Sequence, residues 1–170
     1  FVRSLLDNKV HTIEELEAAI TAPILGDIPN AKSKSKIVVS KLERTNVAEA
    51  FRLLRTNIDH ALSASDQQNK VIFITSTIRG EGKTFVATNL ASTYALLHKK
   101  VLLIGTDLRR PNIAPTLGVN QDHGLSHYLS NFDVQLEDVI VKGTDNNLDI
   151  LDAAVVAPNP SELLTNGRFD

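Results

Sequence analysis

The chain has 170 residues, of which 42% are hydrophobic and 22% are charged, and its formal net charge at pH 7 is −2. These values are typical of an ordinary globular domain, and the near-neutral charge provides no field that would attract nucleic acid. The absence of cysteine excludes disulfides and thiolate metal sites. No apolar run approaches the ~18 residues of a membrane-spanning helix. Methionine is also absent, so Phe1 is not a natural translation start and we expect a fragment.

Residues 1–43 are predicted to be a lead-in and linker. Residues 12–15 have the pattern of a helix capping box, residues 24–29 predict a short strand and turn, and residues 37–39 are compatible with an edge strand. The lysines of residues 31–36 favour a solvated linker over a membrane- or phosphate-facing patch, because three lysines fall short of a polybasic cluster.

A long amphipathic helix is predicted at residues 46–62. Its apolar residues follow the helical repeat and form a core face: Val47, Phe51, Leu54, Ile58 and Leu62. Glu49 and Arg52 lie on the outer side and Arg55 at the boundary. Two interpretations stay open: a local Glu49–Arg52 pair worth about 0.2–0.5 kcal/mol, or an intersubunit contact.

The chemistry depends on residues 71–89. The apolar run 71–74 predicts a buried strand, residues 76–82 form a loop that contains glycine, and Lys83 opens a helical pattern. Strand, glycine loop, Lys-Thr and helix is the layout of a phosphate-binding P-loop. One position departs from the G-x-x-x-x-G-K-[ST] pattern, because Thr77 stands where the first glycine belongs.

The residue types of this loop suit a nucleoside triphosphate. Gly80 and Gly82 allow backbone N–H groups to point at phosphate oxygens, and the helix dipole adds to that field. Lys83 would reach the β- and γ-phosphates, and the Thr84 hydroxyl would ligate Mg²⁺. The candidate nucleotide-binding residues are Arg79, Gly80, Glu81, Gly82, Lys83, Thr84 and Phe85.

Two further buried strands are predicted at residues 101–104 and 148–151, which gives an α/β fold with a mainly parallel sheet flanked by helices. Asp107 follows the first of them, at the edge where such sheets bind ligands. It is the candidate for a second contact to Mg²⁺ and, with Lys83, a candidate catalytic residue; an ordinary turn aspartate is the alternative. His123 and His127 are not expected to bind metal, because no third ligand is near.

Short helices are predicted later in the chain. One occupies residues 124–129, a second is capped by Asp133, and a third begins at Asn159, Pro160 and Glu162.

Together these segments resemble the bacterial tyrosine kinases (BY-kinases) of the polysaccharide co-polymerase type, which act in capsule and exopolysaccharide export. The similar segments follow the family's order: residues 24–29, 48–57, 71–89, 107–111 and 158–164. Glu49, Arg52 and Arg55 match the family's E-x-x-R-x-x-R oligomerisation motif, and residues 107–111 resemble its Walker A′ motif.

The resemblance implies a P-loop NTPase fold that continues past Asp170 into a Walker B strand. Residues 44–170 would then be the N-terminal part of a kinase domain, and residues 1–43 a membrane-proximal lead-in. It implies ATP and Mg²⁺ as cofactors, and a homo-oligomeric ring at the cytoplasmic face of the inner membrane, anchored by an upstream segment. The ring would phosphorylate the tyrosine-rich tail of a neighbouring subunit and regulate the polysaccharide export machinery.

Gly105 departs from the family pattern, because it occupies the place of the first Walker A′ aspartate. Tyr94 and Tyr128 are the only tyrosines, so the tail lies elsewhere. Gly105 favours an alternative, a nucleotide-binding assembly module with little kinase activity, and Gly105→Asp is expected to raise the transfer rate. A partitioning or cell-division ATPase is a weaker alternative, because Ile78 stands where those proteins have a signature lysine.

Overall fold

The computed structural model describes residues 10, 12–31, 35–40, 42, 44–64, 67, 69–143, 145 and 147–168. The helix end predicted in residues 1–9 and two linker lysines, Lys32 and Lys34, lie outside the described residues. The described elements, in chain order, are α1 (Ile13–Ala19), α2 (Asn46–Ala61), α3 (Lys83–Ala95), β1 (Val101–Ile104), α4 (Ile113–Thr116), α5 (Leu125–Ser130), α6 (Leu136–Val139), β2 (Val141–Lys142), β3 (Leu148–Leu151) and α7 (Pro160–Leu164).

The two long helices pack against each other and position the loop between them. α2 begins at Asn46 because the Thr45 hydroxyl caps it, accepting the Ala48 N–H at 3.3 Å. Its predicted core face is confirmed, with Phe51 and Ile58 buried. The Phe51 ring meets Phe85 of α3 edge-on, with 5.6 Å between ring centroids.

The described strands form a small mixed sheet in the order β1-β3-β2. β1 and β3 are parallel, with Ile104 opposite Leu151, which confirms the predicted α/β arrangement. β2 pairs antiparallel with β3 over two residues. One face of the sheet is covered by α3, α4 and the residue that follows α4: Ala91, Ala95, Ile113, Ala114 and Leu117 pack with Leu148 and Ile150.

The prediction of a buried strand at residues 71–74 was wrong for the described structure. Val71 is 73% exposed and Phe73 is 89% exposed, and no described strand pairs with this segment. An apolar run supplies side chains for a core, but a strand also needs backbone partners. β1 has an open face as well, because Leu102 and Ile104 are 42% and 44% exposed.

Side-chain hydrogen bonds and apolar packing, and not strand pairing, attach the lead-in to the two long helices. Residues 24–29 and 37–39 are not in strands. The Asn57 amide donates to the Leu25 carbonyl at 2.8 Å, and buried Asn89 of α3 accepts the Val38 N–H at 2.8 Å. Val39 packs in the same apolar cluster as Phe51. A boundary between residues 43 and 44 stays a prediction.

Several local predictions are refined by the structure. α1 is capped by Thr12 as expected, but it has no buried residue. α6 begins after Gln135 instead of at Asp133, and the Asp138 carboxylate accepts the Gln135 N–H at 3.3 Å. α7 has Pro160 at its start, preceded by Asn159. None of the helices in the described ranges has both the length and the apolar character that crossing a bilayer requires.

Candidate nucleotide site

The glycines of the P-loop have backbone conformations that L-residues rarely adopt. Gly80 has φ +90° and Gly82 has φ +98°, and a Cβ built at either position meets no heavy atom within 4 Å. Gly82 immediately precedes α3, and its carbonyl accepts the Val86 N–H at 2.8 Å. The loop therefore turns sharply into the helix and leaves open space beside its backbone.

Lys83 folds back over this loop. Its ammonium group donates to the Ser76 hydroxyl and to the Ile78 carbonyl at 3.0 Å. The cation thus lies above the loop whose backbone would surround a phosphate, which is the placement that a P-loop lysine needs. The predicted role of Lys83 is compatible with this geometry.

Glu81 occupies part of the loop with its own carboxylate. Its Oε2 accepts the Ile78 N–H at 3.1 Å, and its Oε1 accepts the Thr77 hydroxyl at 3.3 Å. The Ile78 N–H, followed by the Ser76 hydroxyl, lowers the pKa of the Glu81 carboxyl below its ordinary value. Because a loop N–H already binds one anionic oxygen, the residues present fit a phosphate group.

Asp107 lies at the same end of the fold as Lys83. α3 packs on β1 and is joined to it by the short connection 96–100, so the two elements run in opposite directions. The first turn of α3 therefore lies at the end of the sheet where β1 finishes. The exposed Asp107 carboxylate and the Thr84 hydroxyl are oxygen ligands of the kind that Mg²⁺ prefers.

Asp107 also stabilises a turn, which was the alternative interpretation of this residue. Its Oδ1 accepts the N–H groups of Arg109 at 3.2 Å and Arg110 at 3.1 Å. Both hydrogen bonds go to one oxygen and the side chain remains exposed. The turn and the metal roles are thus compatible, and the metal role stays a prediction.

The other residues predicted to bind nucleotide, Arg79, Thr84 and Phe85, differ in how far their side chains are exposed or packed in the core. Arg79 is exposed on the loop and Thr84 is half-buried in the first turn of α3. The Phe85 ring contacts Phe51 in the core, so any contribution of Phe85 to nucleotide binding would come from its backbone.

Asp152 was missed by the sequence analysis, although the signal that selected Asp107 applies to it equally. It is the first residue after β3, whereas Asp107 is the third after β1, and only 1% of its surface is exposed. Its Oδ2 accepts the N–H groups of Ile113 at 2.8 Å and Ala114 at 3.0 Å. We call residues 105–108 and 152–154, which follow the two parallel strands, the carboxyl edge.

The three residues of the oligomerisation motif differ in their partners. The Arg52 guanidinium donates to Glu49 at 2.5 Å and to the Ser40 carbonyl at 3.2 Å. The Nε atom of Arg55 is buried and finds no hydrogen-bond acceptor among the described residues. The local interpretation therefore accounts for Glu49 and Arg52 but leaves one polar atom of Arg55 unexplained.

Both tyrosines are engaged in contacts within the fold. The Tyr94 phenol donates to the Asp59 carboxylate at 2.8 Å, and burial, followed by that hydrogen bond, raises the pKa of Tyr94 above its ordinary value. The Arg168 guanidinium lies 4.1 Å from the centroid of the Tyr128 ring. His123 and His127 stack with ring centroids 4.4 Å apart. The described residues contain no group of three or more His, Cys, Asp or Glu side chains that could hold a metal ion.

Comparison with known proteins identifies the family. No family model matches the chain. Tyrosine-protein kinase YwqD of Bacillus subtilis (strain 168) is 38% identical over 119 residues, which are 70% of this chain and 49% of YwqD. The crystal structure of the chimerical protein CapA2B2 superposes with a TM-score of 0.80 at 34% identity, covering 93% of this chain and 67% of that one.

The BceF tyrosine kinase domain superposes with a TM-score of 0.78 at 30% identity, covering 94% of this chain and 68% of that domain. These similarities extend over almost the whole chain and agree with a P-loop followed by parallel strands. The chain belongs to the family of bacterial tyrosine kinases, the BY-kinases. It spans about half the length of YwqD and about two thirds of each solved structure.

Proposed function

We propose that this chain carries the ATP-binding part of a protein-tyrosine autokinase that regulates capsule or exopolysaccharide polymerisation and export. The observation that carries the proposal is the P-loop, in which Lys83 lies over a loop whose N–H group already binds a carboxylate oxygen. Relatives named as tyrosine-protein kinases support the reaction. Phosphoryl transfer depends on positioning and charge neutralisation, and the residues at this end of the fold supply both.

In this proposal ATP and Mg²⁺ are the cofactors. Gly80 and Gly82 shape the loop, Lys83 neutralises the β- and γ-phosphates, and Thr84 and Asp107 hold the metal. The metal supplies positive charge that balances the transferring phosphoryl group. The proposed acceptor tyrosine lies in the tail of a neighbouring subunit, which is compatible with the internal contacts of Tyr94 and Tyr128. The protein acts at the cytoplasmic face of the inner membrane.

The Lys83→Ala variant tests nucleotide binding. A charge-assisted contact is worth about 1.5–3 kcal/mol, so the affinity for MgATP should fall by about tenfold or more. Calorimetry on the whole protein, including any residues that flank this chain, measures it. Lys142→Ala is the matched control, because it removes a lysine whose ion pair with Asp149 lies elsewhere on the sheet. An affinity that Lys83→Ala leaves unchanged would remove the P-loop assignment.

A second candidate function, a nucleotide-binding assembly module with little kinase activity, is favoured by the absence of a carboxylate at residue 105. The two candidates differ in transfer and not in binding. Incubation of the whole protein with radiolabelled ATP distinguishes them, because the autokinase labels its own tyrosines. Binding of MgATP without any phosphotyrosine would favour the assembly module.

We also propose that α2 forms a contact between subunits of a homo-oligomeric ring. The support is the spacing of Glu49, Arg52 and Arg55 along α2, together with the half-buried Arg55 side chain, whose Nε atom has no hydrogen-bond acceptor in the described part of the chain. Light scattering on the Glu49→Ala, Arg52→Ala and Arg55→Ala variants tests this. Arg55→Ala should reduce the mass most, because Glu49 and Arg52 are already paired with each other. Equal masses for all variants and the wild type would contradict the interface.

A further inference from the structure

Gly105 has no space for a side chain, and the reason is Asp152. The two residues follow the paired positions Ile104 and Leu151 of the parallel strands, so they lie side by side. A Cβ built at Gly105 would lie 2.3 Å from Asp152 Oδ1 and 3.1 Å from Ile113 Cδ1. The side-chain space of residue 105 therefore already contains a carboxylate, which comes from β3 instead of β1.

The Asp152 carboxylate fixes the loop that carries Asp107. The loop starts where the Gly105 N–H donates to the Leu151 carbonyl at 2.8 Å. It ends where Ile113 and Ala114 donate to Asp152 Oδ2 at 2.8 and 3.0 Å. Asp107 lies between these two attachments. Movement of Asp152 would thus release the far end of the loop.

Burying the Asp152 carboxylate is costly, and hydrogen bonds compensate for that cost. Its Oδ1 accepts the Ala153 N–H at 2.9 Å, and its own N–H donates to Gln121 Oε1 at 3.2 Å. The ion pairs found between described residues do not include it. Backbone N–H groups alone satisfy the carboxylate, and such a group is retained in a core only where its hydrogen bonds are complete.

We propose that Asp152 is a positioning residue of the phosphoryl-transfer site. Its carboxylate takes the place of a side chain at residue 105 and holds the Asp107 loop in the conformation that binds Mg²⁺. This inference rests on the proposed function for the metal, whereas the steric pairing of Asp152 with Gly105 follows from the fold alone. Asp152 acts through the loop, and Asp107 makes the contact.

The proposal reverses the expectation for Gly105→Asp. In the wild type, the new side chain would meet the Asp152 oxygen and place a second carboxylate beside the first. The variant should therefore lose transfer activity instead of gaining it. In an Asp152→Ser background the space is free, so Gly105→Asp returns one carboxylate to the same place from the other strand. Gly105→Asp should thus lower the transfer activity in the wild type and raise it in the Asp152→Ser background.

Unfolding measurements test the steric pairing without any nucleotide. Gly105→Ala should lower the urea midpoint clearly in the wild type and much less in the Asp152→Ser background, because serine lacks the oxygen that the new Cβ would meet. Equal shifts in the two backgrounds would overturn the pairing. Gly26→Ala is the control, since a Cβ there has its nearest neighbour at 3.6 Å and should shift the midpoint equally in both.

Metal dependence tests the positioning role. The readout is the gain in ATP affinity that Mg²⁺ provides, measured by calorimetry on the whole protein with and without the metal. Asp152→Asn should reduce this gain by about tenfold, and Asp107→Asn should do the same, because loss of a supporting partner typically weakens metal affinity by 10–100-fold. The affinity for metal-free ATP should stay unchanged, since it depends on Lys83.

The outcomes separate this inference from the proposed function. If the wild type gains no affinity from Mg²⁺, the proposed function fails, and the positioning role fails with it. If the wild type gains affinity but Asp152→Asn keeps the full gain, only the positioning role is overturned. Asp152→Asn could also fold poorly and lose both affinities. The Gly105→Asp/Asp152→Ser variant then decides: recovery of the Mg²⁺ gain over Asp152→Ser alone supports the proposal, and no recovery contradicts it.

Discussion

In the P-loop, a Cβ built at Gly80 or Gly82 meets no heavy atom within 4 Å, whereas one built at Gly105 of the carboxyl edge, or at Gly124 packed against that edge, meets Asp152. The P-loop glycines have φ values of +90° and +98°. Gly124, which lies against the carboxyl edge, has an extended φ of −149°, yet its Cβ would lie 2.1 Å from the Asp152 carbonyl oxygen. The P-loop uses glycine for its backbone conformation, and the carboxyl edge uses it for its small size.

This difference separates a local requirement from a long-range one. A positive φ belongs to one residue and its neighbours, so a motif of consecutive residues can specify it. Steric crowding at the carboxyl edge arises between residues that follow two different strands and meet only in the folded chain. No residue spacing within one strand specifies it. Substitutions should therefore cost conformational energy in the P-loop and packing energy at the carboxyl edge, and the following predictions compare the two.

The largest effect is expected for Gly124→Ala. The new Cβ would overlap the Asp152 carbonyl oxygen and lie 2.9 Å from Ala154 Cβ. The carbonyl cannot withdraw freely, because it accepts the Leu125 N–H at 2.8 Å. Overpacking against backbone should reduce the free energy of unfolding by about 3 kcal/mol. Urea denaturation measures the loss, and Gly26→Ala, which has ordinary contacts, should stay within about 0.5 kcal/mol of the wild type.

A smaller effect is expected for Gly82→Ala. The new Cβ has open space, so the cost comes from holding alanine at positive φ, about 1–2 kcal/mol. The same denaturation experiment gives the value. A loss for Gly82→Ala that equals or exceeds the loss for Gly124→Ala would contradict the comparison, because conformation would then outweigh packing.

Tyr94→Phe compares a polar anchor between the two long helices with the Asp152 anchor of the carboxyl edge. Tyr94 of α3 is half-buried and bonds to Asp59 through one hydroxyl, whereas Asp152 is fully buried with three N–H donors. Loss of one partly exposed hydrogen bond should reduce the free energy of unfolding by about 1 kcal/mol. A loss of several kcal/mol would contradict the assignment of Tyr94 as the weaker anchor.

The same residue gives a pH dependence with a defined sign. Because the pKa of Tyr94 is raised in the folded state, its contribution to stability is complete below the unfolded pKa of about 10 and is lost as the pH rises through the folded pKa. The wild type should therefore lose more stability above pH ~10 than Tyr94→Phe does. Urea denaturation across this pH range measures the difference, and parallel curves for the two proteins would contradict the shift.

The sequence alone predicted the elements that local patterns specify. The extents of α2, β1 and β3 and the start of α3 follow from periodicity and from the P-loop motif. The placement of Lys83 over the loop also follows from the motif. Each of these features depends on residues that are close together in the chain.

The features that depend on distant residues could not be predicted. The run 71–74 had the composition of a buried strand, but pairing requires a partner that periodicity does not reveal. Asp152 follows the carboxyl end of a parallel strand, as Asp107 does, yet nothing in the sequence showed that its carboxylate lies over Gly105. For that reason Gly105 looked like a missing aspartate, although the fold fills its space from the neighbouring strand.

The smallest effect, and one of opposite sign, is expected for Ala154→Gly. Ala154 has φ +63°, which costs an alanine about 1–2 kcal/mol, but glycine also gains entropy in the unfolded state worth about 0.5–1 kcal/mol. The net gain in stability should be about 0.5 kcal/mol.

The coupling with Gly124→Ala is more informative, because Ala154→Gly removes the Cβ that the new side chain would meet at 2.9 Å. In the Gly124→Ala background, Ala154→Gly should raise the free energy of unfolding by more than it does in the wild type, although the contact with the Asp152 carbonyl remains. A double-mutant cycle measured by urea denaturation gives the difference. Strict additivity would show that the cost at Gly124 comes from the carbonyl contact alone, and that Ala154 has no part in the lack of space at the carboxyl edge.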